Sequence, residues 1–353
     1  MKVLVTGAFG LVGSAVVRKL ASDARAVVAT DLDTPANRKA AGGLPSRATA
    51  QFADLTDPEV VDDLVATVSP SAIIHLAAVI PPFIYTRRDI ARRVNVDATA
   101  ALLAAAQKQA NPPRFIQASS IGVYGSRNPY RFTDLLTADT PVNPADVYGQ
   151  HKVEAETLVR ASTLDWVILR LGGVLSVDLG SYLKLDNAYF ESLLPIDNRV
   201  QTVDVRDVAT AFAAATTADV LGETLLIGGD DSHRHVYGDV APSFAAALGL
   251  VDGLPVGLKG NPDDDEGWFN TDWMDTARAQ EALGYQHHSW SDMLIEASEM
   301  MGWKRGLLRG VSPLARAITT RRAAYYRSAQ TYADPWTAIA EKWADPRPDR
   351  STT

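Results

Sequence analysis

The segment "KVLVTGAFGLVGSAVVRKLAS", residues 2–22, sets an apolar run, a glycine-rich turn and an amphipathic pattern end to end. "KVLVT" has the unbroken apolar character of a strand covered on both faces. "LVGSAVVRKLAS" carries its apolar residues at helical spacing. Strand, tight turn and helix together open a crossover unit, whose next strand lies parallel to the first. Working outward, "AVVATD", "ATAQFAD", "SAIIHLAA", "RFIQASS" and "DWVILRL" read as five further strands. Helical patterns separate them: "PEVVDDLVATV", a long helix from about Arg87 to Ala110, and a helix around Tyr148. This alternation specifies an α/β fold, a doubly wound parallel sheet with helices on both faces.

After residue 174 the alternation loosens. "SVDLGSYLKLDNAYFESLLPIDNRVQ" reads as a helix and loops, "DVRDVATAFAAATT" as a helix and "GETLLIGG" as one more strand. Residues 236–302 read as mostly helical, "TDWMDTARAQEALGY" included. The expected organisation is a nucleotide-binding domain over 1–174, a smaller, mostly helical substrate lobe over 175–302 interleaved with the main sheet, and a helical extension over 303–353.

The 353 residues hold no cysteine, which excludes disulfides, thiolate metal sites and cysteine nucleophiles. No run of about 18 apolar residues is present to span a membrane, and "MKVLVTGAFG" turns into the glycine loop before a signal-peptide core could form. A cytoplasmic protein is expected. The net charge of −8 is uneven: residues 303–353 carry 10 Lys and Arg against 4 Asp and Glu, leaving 24 against 38 in residues 1–302. The basic extension is expected to pack on the acidic body or on a second subunit of a homo-oligomer. A membrane-surface anchor and an electrostatic lid for an anionic substrate are the other readings. Nucleic acid is not an expected partner, because the acidic body repels phosphates.

Glycines 7, 10 and 13 between the first strand and first helix suit close approach of a diphosphate to helix N-terminal N–H groups. Phe9, Leu11 and Val12 of the same turn are candidate cofactor contacts. Asp31 ends the second strand 18 residues after Gly13. A carboxylate there accepts from adenosine ribose hydroxyls and repels a 2′-phosphate, which favours NAD over NADP. Asp54 and Leu55, after the third strand, are placed to meet the adenine, although Asp54 is equally suited to cap the next helix.

"DVYGQHKVEAE", residues 146–156, sets Tyr148 four residues before Lys152, on one face of a helix. A phenol with a pKa near 10 is a poor base at neutral pH and needs a drop of roughly 3 units to become a useful one. An ammonium about 4 Å away supplies on the order of 4 kcal/mol at an effective dielectric near 20.

Five segments then occur in a telling order: "TGAFGLVG" (6–13), "HLAA" (75–78), "SSIGVYG" (119–125), "YGQHK" (148–152) and "DVRDVA" (204–209). Over roughly residues 1–300 the chain resembles the extended short-chain dehydrogenase/reductases, also called the NAD-dependent epimerase/dehydratase family. The resemblance implies a Rossmann sheet, NAD as cofactor, and a catalytic set falling on Ser120, Tyr148 and Lys152. Ser120 matches the family's S-x-x-V-Y-G better than Ser119. It further implies that Leu76, Ala77 and Ala78 line the cofactor, that Asn95 steadies the strand edge, and that the backbone from Leu171 to Val174 faces the nicotinamide; core packing is the alternative for the apolar ones.

The resemblance covers dehydrogenases, epimerases and dehydratases. Ile121 and Gly122 stand where sugar dehydratases carry an Asp-Glu pair, so elimination is not expected. Arg199 lies close to, but out of register with, the arginine that nucleotide-sugar epimerases present to a diphosphate, and "AAVIPPFIY" (77–85) is apolar. The expectation is an enzyme, an NAD-dependent oxidoreductase acting on a small-molecule secondary alcohol or ketone. A nucleotide-sugar epimerase with tightly held NAD is the alternative, and a non-catalytic NAD-binding protein the second. No metal site is expected: His233, His235, His287 and His288 read as loop residues, and His75 as a strand-end residue near the cofactor.

Overall fold

A computed structural model describes residues 1–178, 185–251 and 257–349, with backbone alone over 185–188. Residues 179–184, part of the segment expected as helix and loops, lie outside the described residues, as do 252–256 and 350–353 of the extension.

The first half is β1 (Lys2–Thr6), α1 (Leu11–Ser22), β2 (Ala26–Thr30), α2 (Pro35–Ala41), β3 (Ala48–Ala50), α3 (Pro58–Val68), β4 (Ala72–His75), α4 (Phe83–Thr86), α5 (Arg88–Arg92), α6 (Ala98–Gln107), β5 (Arg114–Ser120), α7 (Val147–Ala161) and β6 (Trp166–Leu171). The second is β7 (Gly173–Leu175), α8 (Leu185–Leu193), β8 (Arg199–Asp204), α9 (Val205–Ala215), β9 (Thr224–Ile227), β10 (Arg234–Val236), α10 (Tyr237–Ala247), α11 (Ala277–Leu283), α12 (Trp290–Met301), α13 (Lys304–Arg322) and α14 (Pro335–Lys342).

Seven strands form one sheet in the order β3-β2-β1-β4-β5-β6-β9, every pair parallel. Its strands read as apolar runs because both faces are covered. One face carries α1 against α9, whose Val16, Leu20, Val208 and Phe212 are buried with Val3, Val5 and Val27. The other carries α3, α6 and the end of α7, where Leu64, Leu102 and Val159 meet Leu4, Ile73 and Phe115. The chain reverses its winding direction between β1 and β4, so the carboxyl ends of these two strands flank the crevice where such sheets bind ligands.

Three segments depart from the sequence expectation. The helix expected over 87–110 is α5, a π-helical turn at Arg93–Asp97, and α6. "RVQTVD", whose first three residues end the segment expected as helix and loops and whose Asp204 opens the expected helix, is β8; it pairs with β7 in parallel and β10 in antiparallel fashion in a second, three-stranded sheet. The polar residues that hid this strand are satisfied internally: Gln201 Nε2 donates to the Gly229 carbonyl at 2.6 Å and its Oε1 accepts from Met274 N at 2.8 Å. "TDWMDTARAQEALGY" is helical only from Ala277, because Met274 is drawn into a bridge with Leu136. In the extension, Trp303 just ahead of α13 and Leu307 and Leu314 within it are exposed, while α14 and the chain beyond it fold back onto α8 and α7.

Candidate active site

At the carboxyl end of β1, Gly7 takes a left-handed φ of 63° and stands so close to β4 that a Cβ would lie 2.8 Å from Ala77 N. A Cβ on Gly13 would lie 2.1 Å from the Gly7 carbonyl oxygen. Thr6 Oγ1 accepts from Leu76 N (3.1 Å) and Ala77 N (3.2 Å), which fixes this turn against the end of β4. Gly10 caps α1 with no side-chain bond, so no capping oxygen claims the first-turn N–H groups. A bare helix N-terminus on a glycine cradle fits a diphosphate.

Asp31 sits beside this turn, its Oδ2 accepting from Phe9 N at 3.3 Å and its Oδ1 from Leu32 N at 2.9 Å. Leu11 is exposed, and Phe9 and Val12 pack partly buried on the core. Asp54 does not cap α3; Asp57 does. Asp54 Oδ1 instead accepts from Thr56 N (2.9 Å) and Thr56 Oγ1 (2.8 Å), and Leu55 is buried. Leu76, Ala77 and Ala78 follow β4 beside the turn, half-buried. His75 is neutral, its pKa held at about 3 by burial and then by the Lys152 charge. Thr6 Oγ1 lies 2.7 Å from its Nδ1 and Thr99 Oγ1 lies 3.1 Å from its Nε2. Thr6 already accepts two N–H bonds and Thr99 donates to the Asn95 carbonyl, an arrangement that assigns the ring proton to Nε2.

Ser120 closes β5 at the carboxyl edge, and its Oγ accepts from Gly122 N at 3.1 Å. Ser119, one residue earlier, is committed to the interior, donating to Glu156 Oε1 at 2.6 Å. Helix α7 brings Tyr148 and Lys152 to the same edge, where the Ser120 hydroxyl bears on the Tyr148 phenol. Lys152 is buried, its Nζ 5.7 Å from the Tyr148 ring centre and donating to the Ala118 carbonyl at 2.9 Å. Burial pulls its pKa down to about 8, against an upward pull from Glu156. The phenol is not lowered as the Tyr–Lys spacing alone predicts: burial pushes its pKa up, the Asp146 carboxylate adds to this, and only the Ser120 hydroxyl opposes it. The reason is geometric, since the ammonium is turned toward a strand carbonyl and shares the phenol's dry surroundings.

Asp146 and Asn270, which the sequence reading passed over, stand beside these residues. Asp146 caps α7, its Oδ1 accepting from Gly149 N (2.8 Å) and its Oδ2 from the Tyr85 hydroxyl (2.8 Å). Burial raises its pKa to about 6. An Asp three residues before Gly149 at a helix start was a visible capping signal. Asn270 was not visible: it reaches back over 124 residues to donate to Asp146 Oδ1 at 3.4 Å, and its Nδ2 lies 3.1 Å from where a Gly122 Cβ would stand. Asn95, in the π-helical turn, grips the loop after β4 by accepting from Val79 N (2.7 Å) and donating to its carbonyl (2.9 Å). Beneath α7, Glu156 receives two bonds from Arg170, at 2.8 and 2.7 Å, with both side chains buried. Leu171 and Val174 lie half-buried at the end of β6 and in β7.

Arg199 and the histidines read as loop residues are engaged elsewhere, and His235 lies in β10 rather than in a loop. Arg199 donates to the carbonyls of Phe132 (2.9 Å) and Pro129 (3.0 Å) and lies over the Trp273 ring. His233 is buried between Thr202 and the His288 carbonyl, His288 pairs with Asp207 at 2.6 Å, and His235 packs on Trp290. Among the described residues no helix is long and apolar enough to cross a membrane.

Comparison with known proteins gives the family. Residues 3–228 match the model of the NAD dependent epimerase/dehydratase family. D-erythronate dehydrogenase of Cupriavidus necator is 34% identical over 182 residues, covering 48% of this chain and 54% of that protein, about half the relative's length. UDP-glucose 4-epimerase of Mycolicibacterium smegmatis is 29% identical over 327 residues, covering 81% of this chain and 93% of that one. The crystal structure of a short-chain dehydrogenase/reductase superfamily protein from Agrobacterium tumefaciens with bound NAD superposes with a TM-score of 0.68 at 25% identity, covering 90% of this chain and all of that one. The glycine cradle, the Asp31 carboxylate and the family match over β1 to β9 together make this chain a member of the NAD-dependent epimerase/dehydratase family and an NAD-dependent enzyme.

Proposed function

We propose that the chain transfers hydride between a secondary alcohol or its ketone and NAD, with Tyr148 as the acid/base. The observation that carries this reading is the Ser120–Tyr148 hydroxyl pair at the carboxyl edge of β5, one turn of α7 from the buried Lys152. NAD, held by the Gly7–Gly13 turn with its adenosine ribose on Asp31, supplies the two-electron acceptor or donor. Ser120 Oγ orients the substrate oxygen. The Tyr148 hydroxyl returns a proton to that oxygen in reduction and removes it in oxidation. Lys152 holds positive charge beside the phenol and would bind the nicotinamide ribose. Leu76, Ala77, Ala78, Leu171 and Val174 would enclose the cofactor, and Asn95 fixes the loop after β4. With Gly122 and Ile121 after Ser120, no carboxyl pair is available there for elimination.

The second reading, a nucleotide-sugar epimerase, is supported by the long alignment with UDP-glucose 4-epimerase. Against it stands Arg199, whose guanidinium already serves two carbonyls and an aromatic ring. Tyr148→Phe tests the shared chemistry: turnover should fall by at least about a thousandfold, the upper part of the range for acid/base groups, while NAD affinity measured by calorimetry stays within about twofold. Wild-type turnover in this variant would end the proposal. Dialysis separates the two readings, since an epimerase regenerates its cofactor in each cycle and retains NAD, whereas a dehydrogenase exchanges it.

A further inference from the structure

The chain beyond Tyr332 does not hang from the body. Asp334 caps α14 by accepting from Thr337 N at 3.1 Å, Pro335 opens its first turn, and α14 packs on α8. Ile339 is fully buried in one apolar cluster with Val147 and Tyr148. Past the helix, the Pro346 carbonyl accepts from Val147 N at 2.8 Å, closing an otherwise orphan N–H in the first turn of α7. Asp349 N donates to Gln150 Oε1 at 2.6 Å, the Asp349 carboxylate pairs with Arg88, and Arg88 also holds the Asp345 and Arg347 carbonyls. The segment is therefore tied on both sides of the turn that carries Tyr148.

What it brings there is aromatic. Trp343 lies 5.8 Å from the Tyr189 ring and 5.9 Å from Phe190; Phe190 meets Phe269 edge-on at 5.6 Å; Phe269 lies 5.4 Å from Trp336. Val79, Tyr148 and these rings belong to the same cluster, and Tyr148, Tyr189, Phe190, Trp336 and Trp343 each keep part of their surface open. Phe190, Trp336 and Trp343 offer offset stacking and apolar burial to a flat ligand, while Lys342 Nζ, 4.9 Å from the Tyr189 ring centre, covers one face of that ring.

We propose that residues 334–349 form the substrate wall of the Tyr148 site, and that the site takes an apolar secondary alcohol or ketone bearing a flat ring. This rests on the reading of Tyr148 as the reacting group. Trp343 is the wall's central face; Pro346 and Asp349 are positioning residues that hold the wall to α7.

The test is calorimetric binding of two probes, 2-acetylnaphthalene and UDP-glucose, to the NAD-loaded full chain, its Trp343→Ala and Trp343→Phe variants. The expected result is binding of the naphthyl ketone that weakens at least about tenfold in Trp343→Ala and returns to within about threefold in Trp343→Phe, with NAD affinity unchanged. Should Trp343→Ala fail to fold, Phe190→Ala removes the facing ring and carries the same expected loss. The proposal is overturned if the naphthyl ketone does not bind the wild type, if either truncation leaves its Kd unchanged, or if UDP-glucose binds and the ketone does not. Failure of the catalytic reading would show separately, as full hydride transfer in Tyr148→Phe, while ketone binding still reports on the wall.

Discussion

Replacing Lys152 by methionine should make the cofactor-free protein more stable while abolishing its chemistry. Burial holds this ammonium's pKa at about 8, where an ordinary lysine titrates at 10.5. The unfolded chain thus keeps its proton to higher pH than the folded one, and between these two values stability rises with pH. Below about pH 8 the folded protein carries the whole penalty, about 3 kcal/mol for a gap of this width. Methionine fills a similar volume without charge, and gives up only the hydrogen bond to the Ala118 carbonyl, about 1 kcal/mol. A net gain of roughly 2 kcal/mol follows near pH 7. Above about pH 10.5 lysine is neutral in both states, so the gain disappears and the lost hydrogen bond remains, reversing the sign. Urea unfolding of both proteins near pH 7 and near pH 11 measures this directly. A variant less stable than wild type at pH 7, or a gain that does not shrink with pH, would refute the account of Lys152 as a desolvated cation kept for function.

Gly13→Ala would place a methyl carbon 2.1 Å from the Gly7 carbonyl oxygen, so the turn must open; NAD affinity should fall at least about a hundredfold, read by calorimetry, and a loss under twofold would show that the cradle tolerates the shift. Arg170→Met leaves the buried Glu156 carboxylate only Ser119 and the exposed Arg160 as partners and should destabilise the fold by up to about 3–5 kcal/mol. Glu156→Leu with Arg170→Met should recover more than half of that in the same urea titration.

The sheet was legible because its strands are apolar and its first turn carries glycine where only glycine fits, at Gly7 and Gly13. The site was legible in part. Ser120, Tyr148 and Lys152 lie on β5 and α7, elements that announce themselves, and the fold brings all three to one edge. What stayed hidden depends on distance along the chain or on internal satisfaction of polar groups. Asn270 reaches Asp146 across 124 residues, and no local pattern encodes such a meeting. Strand β8 kept its identity masked because Gln201 and Thr202 are polar residues buried with partners. The fate of the phenol was also out of reach: helical spacing puts Lys152 on the right face of α7, but only the fold shows its proton directed at Ala118.

The tie between Gln150 and Asp349 spans 199 residues. At roughly 5–20 residues per second, synthesis delivers the second partner about 10–40 s after the first. Through that interval α7 can be helical on its sheet, yet the Val147 N–H and the Arg88 guanidinium have no carbonyl from Pro346 or Asp345 to meet. A nascent chain, or one clipped between α13 and α14, therefore holds the cofactor cradle without the segment that braces the start of α7. Completion of the molecule is registered beside Tyr148, the residue proposed to do its chemistry.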